Sequence, residues 1–120
     1  MNTIRIFVLI SAIFLSVNSC RYENSSIAEA QSNLSSGAAK AASLARTRFA
    51  NFISPEKKYG ELGLFLSNVN NYDMTVDECD VNYLVTFYPK RYNGRILKGG
   101  GGVYIISKNN FSMIREEHSK

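Results

Sequence analysis

From residue 38 onward, apolar side chains return at three- and four-residue steps, as Ala38, Ala41, Ala42, Ala45, Phe49, Phe52 and Ile53. Lys40, Arg46, Arg48 and Asn51 fall on the other side of the wheel, the arrangement of a helix with one buried face. Alanine favours the helix, Ser35 or Ser36 is placed to cap it, and Pro55 opposes continuation, so a helix is predicted over 37–53. Its face is small at one end and bulky at the other, which suits a helix lying across a curved sheet. After residue 71 the period shortens to two. Tyr72, Met74 and Val76 alternate with Asp73, Thr75 and Asp77, and the run 82–88 is almost wholly aromatic or β-branched until Pro89 stops it. Residues 103–107 read as a third strand, Lys108-Asn109-Asn110 as a hairpin turn, and 111–115 as the returning fourth strand. The pattern predicts an α+β fold, one main N-terminal helix packed on a curved antiparallel sheet of about four strands. Between these parts, Leu62-Gly63-Leu64-Phe65-Leu66 suits a short helix or a strand, and Asn68, Asn70 and Asn71 mark a loop.

Ahead of the helix the composition changes twice. Residues 21–36 are rich in Ser, Asn and Gln and poor in large apolar groups, so they bury little surface to offset their ordering entropy. They read as a flexible tether. Before them, Arg5 precedes the apolar run Ile6 to Leu15, too short to span a bilayer and typical of a secretory leader. Val17-Asn18-Ser19-Cys20 resembles the box at which a lipoprotein leader is cut before an acylated cysteine. The expected organisation is a leader over 1–19, a lipidated Cys20 with its tether over 20–36, and one α+β domain over 37–120. Cleavage by the general signal peptidase is the other reading of the same residues.

Export changes how the remaining chemistry reads. The chain has two cysteines, Cys20 and Cys79. If Cys20 is lipidated, Cys79 is a solitary thiol, best read as core or strand filler. If it is not, a Cys20 to Cys79 disulfide becomes available in an oxidising compartment. Losing Arg5 with the leader lowers the net charge from +4 to about +3, a mild bias. The basic stretch Lys90, Arg91, Arg95 and Lys98 around Tyr92 would suggest RNA inside a cell, but in an exported protein it reads as a solvated loop or as a docking patch for an acidic protein. No nucleic acid partner is expected.

Gly99 to Gly102 lead into a strand, not into a helix N-terminus, so they read not as a phosphate loop but as a flexible connection or bulge, where glycine lets the strand bend sharply or another backbone approach closely. His118, the only histidine, has no obvious orienting partner in the sequence and reads as a surface residue. Carboxylates are scattered without metal or glycosidase spacing. No enzyme activity, metal or cofactor is expected.

The run Gly101-Gly102-Val103-Tyr104-Ile105-Ile106, followed after a hairpin by His118-Ser119-Lys120, resembles a family of small bacterial immunity proteins with a nuclear-transport-factor-like cone fold. Ala41 to Phe49 and Tyr59-Gly60 correspond to the helix of that family and its end, and Tyr83 stands near the place of its strand tryptophan. The resemblance implies a cystatin- or nuclear-transport-factor-like roll and a binding protein that neutralises a toxin by occlusion, with no catalytic residues to carry over. The expected function is a membrane-tethered protein-binding module of the bacterial envelope facing the periplasm, with Lys90, Arg91, Tyr92, Arg95 and Lys98 as its docking residues. A cystatin-like or propeptide-like peptidase inhibitor wedging through the glycine-rich loop, and a structural envelope lipoprotein, are the alternatives.

Overall fold

A computed structural model describes residues 21–25, as backbone, and residues 34–119. The expected leader, Cys20 and part of the expected tether lie outside the described residues. Among the described residues no helix is long and apolar enough to cross a membrane.

The fold is α+β. Helix α1 (Ser36–Ile53) lies on one face of an antiparallel meander whose strands follow chain order: β1 (Arg21–Ser25), β2 (Tyr72–Glu78), β3 (Asn82–Pro89), β4 (Gly102–Ser107) and β5 (Met113–His118). Between α1 and β2 the chain makes a 3-10 turn (Ser54–Lys58), helix α2 (Gly60–Leu66) and a second 3-10 turn (Val69–Asn71). Sequence had left the middle of this stretch open between helix and strand. The helix wins: the Ser67 N–H bonds back to the Gly63 carbonyl at 2.9 Å.

The N-terminus of α1 is capped as its sequence predicts, the Ser35 hydroxyl accepting from the Ala38 N–H at 3.2 Å. Ala38, Ala41, Ala42 and Ala45 are buried, and the small face lets the helix approach the sheet closely. Further along, Phe49 fills the space that the alanines leave closed. Its ring stacks on Phe87 at 4.6 Å and meets Tyr72 edge-on at 4.7 Å. Tyr72, Met74 and Val76 of β2, Val85 and Phe87 of β3 and Tyr104 and Ile106 of β4 complete this layer, each strand sending alternate residues inward.

Two departures from the sequence reading concern the sheet. Residues 21–25, read as tether, form edge strand β1, paired with β2 from Arg21 opposite Glu78 to Ser25 opposite Met74. A polar segment needs no apolar face for this, because the ladder itself satisfies its backbone groups. The last strand starts two residues later than expected, at Met113, since Phe111 takes a left-handed conformation at φ 55° to close the hairpin. Its ring packs against Tyr83 at 6.1 Å and lies beneath the Lys40 ammonium, and this packing holds a backbone state that phenylalanine rarely adopts.

Candidate docking surface

The segment between β3 and β4 carries the predicted docking residues, and it is built, not loose. Tyr92 and Arg95 exchange backbone hydrogen bonds of 3.0 Å each way, and the two residues between them, Asn93 and Gly94, sit at φ 51° and 76°. Positive φ at both central positions is the mark of a type I′ turn, for which Asn-Gly is the preferred pair. This turn signal was present in the sequence and is what the reading of a solvated loop overlooked.

Two further contacts fasten the small hairpin to the body. The Lys90 N–H donates to the Asn71 carbonyl at 2.8 Å. The Tyr92 ring packs against Phe65 of α2 at 5.0 Å. Helix α2 is itself tied to the sheet, with the Tyr72 hydroxyl donating to the Leu66 carbonyl at 2.7 Å and the Asn71 amide to the Phe65 carbonyl at 2.9 Å. Tyr92 therefore supports the surface more than it presents it. Lys90, Arg91, Arg95 and Lys98 are exposed, and among the described residues none forms an ion pair. Ile96 stands among them 74 % exposed, an apolar group that sequence inspection did not single out.

Beneath the hairpin lies a cavity of about 450 Å³ between the end of α1, α2 and the glycine-rich segment. Phe52, Ile53, Leu62, Leu66, Tyr72 and Leu97 make it largely apolar, with Glu56 and Lys98 among its lining. Burial, followed by the nearby Glu56 carboxylate, pushes the Tyr72 phenol up to about 12, so Tyr72 is neutral.

Of the two roles that the sequence left open for these glycines, a bend of the chain and a close backbone approach, both occur: Gly99 and Gly100 sit at φ 78° and 83°. Gly101 and Gly102 are buried, and a Cβ on Gly101 would run into the Phe87 carbonyl oxygen. A Cβ on Gly102 would lie 3.1 Å from the Phe49 ring and 3.3 Å from His118. The pair is thus a site of close approach, not a flexible connection, and it offers no exposed wedge. Gly102 is also the cross-strand partner of His118, while Gly101 accepts from the Ser119 N–H at 2.9 Å.

His118 is likewise more engaged than its terminal position suggested. Its Nε2 is hydrogen-bonded to Tyr104 Oη at 2.9 Å and lies 3.7 Å from Glu116, which pairs with Arg48 of α1 at 3.2 Å. Phe52 stacks on the imidazole at 3.6 Å, so this residue of the predicted apolar face is half exposed and covers the last strand instead of entering the core. Burial first, then the Glu116 carboxylate, raises the Tyr104 phenol far above its ordinary value. The chain Arg48, Glu116, His118, Tyr104 fastens α1 to β5.

Cys79, read first as a solitary thiol, is disulfide-bonded. Among the described residues no cluster of His, Cys, Asp or Glu suits a metal ion. The chain matches no protein-family model, no curated protein and no solved structure.

Proposed function

We propose that the chain is an exported protein-binding module that docks an acidic protein through the hairpin of residues 90–98 and blocks it by occlusion, as an immunity protein blocks its toxin. The observation that carries this reading is a pinned hairpin that holds Ile96 in solvent among four unpaired cations. A loop that served only solubility would not need its own turn, a backbone bond to Asn71 and a ring contact to Phe65. Fixing the hairpin before the encounter removes ordering entropy from binding, and the cations steer an acidic surface toward it. Ile96 supplies the apolar anchor that charge alone lacks. The resemblance at Gly101-Gly102 and His118-Ser119 supports an immunity-type fold, and the leader over residues 1–19 supports an envelope location facing the periplasm. Burial of Gly101 and Gly102 leaves less of the glycine-rich segment to act as the wedge that the peptidase-inhibitor reading needs.

The test is co-purification from envelope extract, followed by affinity measurement on the recovered partner at two salt concentrations. Replacing Lys90, Arg91, Arg95 and Lys98 together by Ser is expected to weaken binding by about tenfold or more and to flatten its salt dependence. Unchanged affinity and salt dependence would overturn the docking surface.

A further inference from the structure

We infer that Cys20 is joined to Cys79 in a disulfide, in place of the acyl thioether that Val17-Asn18-Ser19-Cys20 suggests, so that the exported chain is stapled to its own sheet and not to lipid. This inference is independent of the partner and of the docking surface.

Three observations carry it. Cys79 is disulfide-bonded within a single chain, and that chain has only one other cysteine. The ladder between β1 and β2 sets Arg21 opposite Glu78, and these two facing residues are the chain neighbours of the two cysteines. Facing residues on neighbouring antiparallel strands are about 4.5–5.5 Å apart at Cα, inside the span that a disulfide bridges. Cys79 is itself held at the end of β2, its N–H donating to the Asn82 carbonyl at 2.9 Å.

The third observation is the lack of slack. An acylated Cys20 must sit at the lipid surface, and a tethered domain needs free chain after it. Here Arg21 is already the first residue of β1. Lipid on residue 20 would press the β2–β3 end of the sheet, with Glu78 and Asp80, against the membrane surface. A sulfur alkylated by the diacylglyceryl group also has no thiol left with which to pair.

The bond forms by oxidation. Each thiol gives up one proton and one electron as the S–S bond is made, and both pass by thiol–disulfide exchange to a protein disulfide of the oxidising compartment, which leaves as a dithiol.

The test uses the full-length chain with its own leader, expressed in a bacterium that exports and acylates lipoproteins, and reads intact mass and thiol alkylation. The expected result is a product without acyl mass, two hydrogens lighter than its reduced form, and alkylated at both cysteines only after reduction. In Cys79→Ala, Cys20 is expected to become alkylatable without reduction and the protein to stay in the soluble periplasmic fraction. An acyl group on Cys20, a covalent dimer on a non-reducing gel, or two thiols alkylated without reduction would each overturn the pairing.

Discussion

Asp77 points away from α1, on the face of β2 opposite Met74 and Val76, yet it is only 9 % exposed and its Oδ1 has no hydrogen-bond partner among the described residues. Burial raises its carboxyl above the ordinary value. A raised folded-state value means the folded chain holds the proton more tightly, so the stability linked to it is complete in acid and is lost as pH rises. Asp77→Asn is therefore expected to stabilise the protein at neutral pH by on the order of 1 kcal/mol, since a neutral amide bears desolvation more easily. The gain should vanish below about pH 4, where the aspartate is protonated in both states. Urea melts at neutral and acid pH give the comparison, and an equal gain at both would contradict it. Phe49 makes the contrasting case. Fully buried among Phe87, Tyr72 and Tyr104, it is expected to cost about 3–5 kcal/mol as Phe49→Ala, read from the same melts. The core role of Phe49 was legible from its helical spacing. The role of Phe52 was not, because its partner His118 lies on the last strand and no periodicity connects the two.

At the scale of elements, the helix and strands β2 to β4 were readable because each buries one face and leaves a periodic trace. Strand β1 leaves none: Arg-Tyr-Glu-Asn-Ser has the composition of a linker and joins the sheet by backbone pairing with β2. Helix α2 was ambiguous for a different reason, being too short for a period to repeat. The double glycine was conspicuous, but flexibility and close approach look alike in sequence, and only the positions of Phe87, Phe49 and His118 separate them. Gly101→Ala tests the difference. A flexible connection would accept the methyl group, whereas here it meets a backbone carbonyl, and a loss of about 1–3 kcal/mol in thermal or urea unfolding is expected. An unchanged stability would favour the flexible connection.

For the molecule as a whole, net charge concealed a distribution. The end of β2 and its turn to β3 carry Asp77, Glu78 and Asp80, while the opposite end of the sheet carries the cations of residues 90–98. The core between them contains two neutral phenols, Tyr72 and Tyr104, both raised by burial. A raised tyrosine favours the folded state below its unfolded value near 10, and that stability is lost as pH climbs toward about 12 at Tyr72. Alkaline unfolding is thus expected to begin above about pH 10, with tyrosinate absorbance and loss of circular dichroism rising together. In Tyr72→Phe the transition should move to higher pH. Ionisation of all seven tyrosines before any loss of structure would show that the phenols are not held as described.

The hairpin of residues 90–98 carries its turn within itself and meets the body chiefly through Lys90 and Tyr92. Change at the side chains of Arg91, Arg95, Ile96 or Lys98 is therefore expected to bear little on folding. The fold thus holds a surface stretch whose side chains can be rewritten without disturbing what supports it. In a saturation-mutagenesis library selected only for folding, tolerated variants should gather at these four positions and be nearly missing at Phe49, Gly101 and Gly102.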